Sequence, residues 1–147
     1  IGKSRLVREL MDRVAGSARI VCGRCLAYGE GITFWPLREM VVSACAIRNE
    51  DSPEIAREKL LACTGDAEIA DRMASATGLS AAPFPLHEIY WGARRFMQLL
   101  AREGPVVAMI DDIHWAEPAF LDLLEHAIEA GGERLPARWS GVLDVSA

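Results

Sequence analysis

Five apolar residues running straight into two acids, Val106-Val107-Ala108-Met109-Ile110-Asp111-Asp112, restrict what this chain can fold into more than any other stretch. The run follows a Gly104-Pro105 break and is too short for a buried helix, so it predicts a central parallel strand covered on both faces. In open α/β sheets ligands bind at the carboxyl ends of strands, where Asp111 and Asp112 fall. Paired carboxylates there suit a metal or a phosphate-bound cation; they equally suit a capped turn leading into the next helix.

The rest of the chain alternates around that strand. Leu6, Val7, Leu10, Met11 and Val14 recur at helical spacing from Lys3 and stop at Gly16, predicting an amphipathic helix at the start. Residues 19–25, Arg-Ile-Val-Cys-Gly-Arg-Cys, predict a second strand, and a Gly-rich loop from Tyr28 to Trp35 follows. Pro36 opens a helix carrying Leu37, Met40, Val41, Ala44 and Cys45. Ser52-Pro53-Glu54 starts another that runs to about Cys63 before Gly65, and Asp66 to about Thr77 forms a third, with Ile69 and Met73 on one side. Beyond Pro83-Phe84-Pro85, the apolar face Leu86, Ile89, Tyr90, Ala93, Phe96, Met97 and Leu100 leads into the central strand. Pro118 starts a last helix, expected to turn Phe120, Leu121, Leu124 and Ile128 inward and to end at Gly131-Gly132. In the tail Glu133–Ala147 only Gly141–Val145 patterns as a strand.

Ile1-Gly2-Lys3-Ser4 matches the end of the phosphate-binding loop pattern. In that pattern loop N–H groups cradle phosphates, lysine reaches the terminal ones and serine ligates Mg²⁺. A helix beginning there adds unpaired N–H groups and positive partial charge. The bland alternative is a capped helix with a solvated lysine. Helix start and acidic strand tip together are what nucleotide hydrolysis needs: Asp111 to hold Mg²⁺, and Asp112 to orient or polarise water.

Taken in order, IGKSRL, GRCLAYGEGITFWPL, FPLHEIYWGARRFMQLL and VVAMIDDIHWAEPAFLDLLEH resemble the AAA-like, STAND-type P-loop ATPase module of bacterial LuxR-type ATP-binding transcriptional regulators and ATPase-fused class III adenylate cyclases. The similarity covers residues 1 to about 130. It implies a partial P-loop NTPase α/β fold, a three-layer α/β/α sandwich on a parallel sheet, with the first strand missing and the C-terminal strands incomplete. Residues 1–132 would form the partial ATPase domain and 133–147 an atypical or truncated tail. By position, Gly2, Lys3, Ser4 and Arg5 would bind the nucleotide, Ser4 and Asp111 the metal, and Lys3 and Asp112 would serve catalysis. The implied cofactors are ATP and Mg²⁺, and the implied partners are DNA-binding or cyclase effector domains of the same chain, with room for oligomerisation. The family's sheet sets a later strand between the Walker A and Walker B strands, and the tail does not resemble it. Without that neighbour the strand 106–110 would be poorly covered and the isolated segment unstable and inactive. A non-hydrolysing nucleotide switch and an inactive interaction fragment remain as alternatives.

Composition narrows the remaining classes. With 147 residues, 51% of them hydrophobic and 25% charged, the chain is expected to form one soluble domain. A net charge of −5 disfavours direct nucleic-acid binding. No apolar run approaches the ~20 residues of a membrane span, and no signal peptide is present, so a reducing cytoplasm is expected. Opening on Ile1 rather than Met suggests a segment of something longer. Cys22-x-x-Cys25 has no second pair to complete a zinc site, and Cys45 and Cys63 fall on apolar helical faces. His114 is expected to pack beside Trp115, and Trp35, Trp91 and Trp115 to anchor core or loops. Arg94 and Arg95 read as a solvated helix edge.

Overall fold

A computed structural model describes residues 2–27, 33–129 and 139–144, with the backbone alone for 2–4, 128–129 and 139–144. The chain runs α1 (Gly2–Val14), β1 (Arg19–Arg24), α2 (Trp35–Ala44), α3 (Pro53–Thr64), α4 (Ala67–Ala76), α5 (Leu86–Leu100), β2 (Val106–Asp111), a single 3-10 turn (Ile113–Trp115), α6 (Pro118–Glu129) and β3 (Trp139–Asp144). Helix starts follow the local chemistry. Ser52 accepts the Ile55 N–H at the head of α3, with Pro53 in the first turn. Asp66 accepts the N–H groups of Glu68 and Ile69 at the head of α4. Gly65, at φ 67°, ends α3 in the left-handed conformation that glycine tolerates best.

β1, β2 and β3 form a parallel sheet in that order. Parallel neighbours need a crossover, and α2 to α5 make the one between β1 and β2. β2 is therefore flanked on both edges. The neighbour expected to be lacking comes from the tail, whose candidate strand at Gly141–Val145 appears as Trp139–Asp144; residues 133–138 and 145–147 lie outside the described residues. The Gly131-Gly132 stop and the boundary at 132 also lie outside them.

The sheet's two faces are unequal. Val21, Val106, Ala108 and Ile110 join the main core with Leu37, Val41, Leu60, Met73, Phe96 and Phe120 from α2 to α6. α2 seats so closely that a Cβ on Gly23 would lie 2.6 Å from the Pro36 carbonyl oxygen. Met109 is buried but outside that cluster, and its register partner is Cys22 on the opposite face, the side approached by Val7 and Met11 of α1. Among the described residues, α1 on one face and α2 to α6 on the other make the three-layer α/β/α arrangement, consistent with a partial P-loop NTPase fold.

Periodicity placed the helices correctly and some of their faces less well. Leu86 is 52% exposed, although it lies on the apolar stripe of α5, because it sits in the first turn, before the helix reaches the core. In α6 the inward residues are Phe120, Leu123 and Ala127, with Leu124 partly buried against the core as expected, whereas Leu121 is exposed; the side chain of Ile128 lies outside the described residues. Trp115 is 47% exposed rather than an anchor, with the His114 ring 5.1 Å away. Arg94 is half-buried, and its Nε has no hydrogen-bond partner, so the α5 edge is less solvated than expected. Cys22 and Cys25 part company: Cys22 is exposed and Cys25 enters the core.

Candidate functional site

The chemistry gathers where β2 ends. Arg24 and Asp111 are register partners closing their strands, and the Asp111 carbonyl accepts the Cys25 N–H at 3.0 Å, extending the ladder to its tip. Asp112 then leaves the sheet at φ 55° and ψ 39°, a left-handed conformation that aspartate tolerates better than most residues. Its N–H donates to Asp111 Oδ1 at 2.9 Å, and its carbonyl accepts the Trp115 N–H at 2.9 Å. The sharp turn keeps the two adjacent carboxylates together at the carboxyl edge, where simple strand alternation would separate them.

A guanidinium lies across both. Arg24 Nη2 is 3.3 Å from Asp111 Oδ2, and Arg24 Nε is 3.8 Å from Asp112 Oδ2. The Arg24 backbone N–H, on the open edge of β1, donates to Glu39 Oε1 at 3.2 Å. That contact satisfies a sheet-edge donor with a carboxylate from α2.

Below the acids lies a cavity of about 550 Å³. Asp111, Arg24 and Glu39 form its polar end, and Val7, Met11 and Met109 part of its apolar wall. Val7 stands one turn beyond Lys3 in α1, so the second and third turns of the opening helix and the tip of β2 border one space. The side chains of Lys3 and Ser4 lie outside the described residues, as does that of Gly2's neighbour Ile1. The Arg5 side chain pairs with Glu9 along α1 at 3.3 Å and is well exposed.

A family model described as AAA ATPase domain matches residues 1–138. The chain belongs to that family. The match ends one residue before β3 begins. Neither a curated protein nor a solved structure was found to match the chain. Membership in the AAA ATPase domain family makes this an ATP-binding module. Among the described residues no helix is long and apolar enough to cross a membrane.

The donor set fits the cation that usually accompanies ATP. Among the described residues no group of three or more His, Cys, Asp or Glu side chains could hold a metal ion. Mg²⁺ bound with phosphates requires only one or two carboxylates, because it keeps water and phosphate oxygens as its other ligands. Asp111 and Asp112 supply hard oxygens at a strand tip and already attract a cationic side chain.

Arg24 and Glu39 were not singled out in the sequence. The signal for Arg24 was a lone basic residue near the end of a β-leaning run, overshadowed by the cysteines on either side. Only the register sets it level with Asp111. Glu39 carried no signal, since its role is to cap an edge whose position is a tertiary fact.

Proposed function

We propose that this AAA ATPase module binds ATP with Mg²⁺ and hydrolyses it to ADP and phosphate, within a larger bacterial signalling or transcriptional regulator. The observation that carries this is the shared cavity: Val7 of the Gly2-Lys3-Ser4 helix and Asp111 at the tip of β2 line one space. Lys3 binds the terminal phosphates, the N–H groups of Gly2, Lys3, Ser4 and Arg5 receive phosphate oxygens, and Ser4 with Asp111 holds the cation. The cation held there would supply charge neutralisation at the transferred phosphoryl group. Asp112 accepts a hydrogen bond from the attacking water and orients it.

Before the acids take a cation, Arg24 must release them, because its guanidinium pairs with both. That contact favours a second reading, a nucleotide switch whose Asp112 does no useful work while Arg24 remains in place. Effector domains of the parent chain would respond to the bound nucleotide in either case. Phosphate release and nucleotide affinity, measured in the full-length parent with Lys3→Ala and Asp112→Asn, decide between them. Hydrolysis requires that Lys3→Ala weaken binding and that Asp112→Asn abolish turnover while sparing binding. Binding without turnover in the parent establishes the switch, and no nucleotide binding overturns both.

A further inference from the structure

The tip of β2 carries two adjacent negative charges where a nucleotide would bring several more. Asp112 is kept beside Asp111 by its left-handed backbone and by its N–H bond to Asp111 Oδ1. Left bare, the two carboxylates would repel incoming phosphates, because like charges a few ångströms apart raise each other's energy. Among the described residues Arg24 is the one cation paired with either acid, with Nη2 3.3 Å from Asp111 Oδ2 and Nε 3.8 Å from Asp112 Oδ2.

The backbone around Arg24 is tied on both sides. Its own N–H donates to Glu39 Oε1 at 3.2 Å, and the next one, of Cys25, donates to the Asp111 carbonyl at 3.0 Å. The side chain is held far less firmly: it is 63% exposed, and its contacts are longer than the 2.8 Å between Arg57 and Asp71 that joins α3 to α4. The guanidinium can therefore leave the acids while the strand stays in place. An exposed ion pair kept only for stability would contribute little.

We propose that Arg24 is a resident stand-in for the cation. In the nucleotide-free site it neutralises Asp111 and Asp112, so that the phosphates can enter before any metal, and it keeps free divalent cations off the acids. It gives up the carboxylate oxygens only when phosphate oxygens are there to complete the cation's ligands, since one or two carboxylates by themselves are a poor site for a strongly hydrated ion. The charge is what this role requires, and the planar guanidinium lets one side chain span two carboxylates. The inference rests on the ATP-binding reading and adds to it an order of binding, nucleotide first and cation second.

The test measures ATP binding to the full chain by calorimetry, once in EDTA and once in excess Mg²⁺, and Mn²⁺ binding without nucleotide from the loss of the free-ion paramagnetic resonance signal. Arg24→Gln is expected to weaken ATP binding several-fold in EDTA but not in Mg²⁺, and to acquire nucleotide-free Mn²⁺ binding that wild type lacks. Arg24→Lys, which keeps the charge, should resemble wild type in both measurements. Equal weakening of ATP binding in EDTA and in Mg²⁺ would make Arg24 an ordinary phosphate contact and overturn the proposal. Unchanged affinity in EDTA, or Mn²⁺ binding by nucleotide-free wild type as tight as by Arg24→Gln, would overturn it too. The wild-type Mn²⁺ measurement decides even where a variant fails to fold. Absence of ATP binding by wild type in both conditions would instead sink the ATP-binding reading itself, and the order of binding with it.

Discussion

Arg24 and Asp111 face each other across adjacent parallel strands, with Nη2 3.3 Å from Oδ2, so the last basic residue of β1 neutralises the first acid of the β2 tip. The pair is solvent-exposed, and its loss should cost stability less than about 1 kcal/mol. Its loss should matter more for cations, because a guanidinium and Mg²⁺ compete for the same oxygens. Arg24→Gln is expected to lower, several-fold, the Mg²⁺ concentration giving half-maximal nucleotide-dependent stabilisation, read by thermal shift across a Mg²⁺ titration. An unchanged midpoint would show that the guanidinium does not compete.

Gly23 is where β1 and α2 come closest. A methyl group there would lie 2.6 Å from the Pro36 oxygen and 2.9 Å from its Cα, both backbone atoms that move only with the helix. Gly23→Ala should therefore destabilise by about 1–3 kcal/mol, as overpacking does, measured by urea unfolding. Because α2 also carries Glu39, the variant should loosen the cap on the Arg24 N–H and raise amide exchange there. Wild-type stability in Gly23→Ala would contradict the seating of α2.

Acid should release a clamp between the α2–α3 connection and α3. Asp51 accepts the Arg48 N–H at 2.7 Å and the Lys59 ammonium at 2.6 Å, and these bonds, the backbone one foremost, hold its carboxyl below the ordinary range. A folded pKa below the unfolded one contributes stability above the unfolded value, about 3.9 for aspartate. That contribution disappears as pH falls through the folded value. Asp51→Asn is expected to lower the melting temperature at neutral pH and to converge with wild type in strong acid. A constant difference at all pH values would mean that the carboxylate charge is not what the clamp uses.

The inward face of α5 can be read by paired truncations. Phe96 is 1% exposed and belongs to the main core, so Phe96→Ala should cost about 3–5 kcal/mol in chemical denaturation. Leu86→Ala, at an exposed position of the same apolar stripe, should change stability by no more than about 0.5 kcal/mol. Comparable losses at both positions would mean that α5 buries its first turn.

Much of this architecture was legible because it is local. Pro53 after Ser52, Asp66 after Gly65, and the Gly104-Pro105 break before Val106 act within a few residues, and each element they predict is present. The run Val106–Ile110 with its two acids placed a buried strand and its acidic tip, since an unbroken apolar stretch of that length is stable only where both faces are covered. Helix faces were less secure. Leu121 and Leu123 are both apolar, and only the position of the core decides that Leu123 goes in.

What pairing and packing decided was hidden for a different reason. Parallel register links residues distant in the chain, so nothing near Arg24 announces Asp111. Glu39 acquires a role only because β1 lies at a sheet edge with an N–H to satisfy. The tail segment patterns weakly as a strand by itself, yet pairs with β2, because an open backbone edge stabilises a neighbour whose own sequence preference is modest. Sequence alone determined the acids at the strand tip and the helix that opens on Gly2-Lys3-Ser4; tertiary structure brought Arg24 across those acids, because long-range hydrogen-bond register, unlike local propensity, exists only once the strands have met.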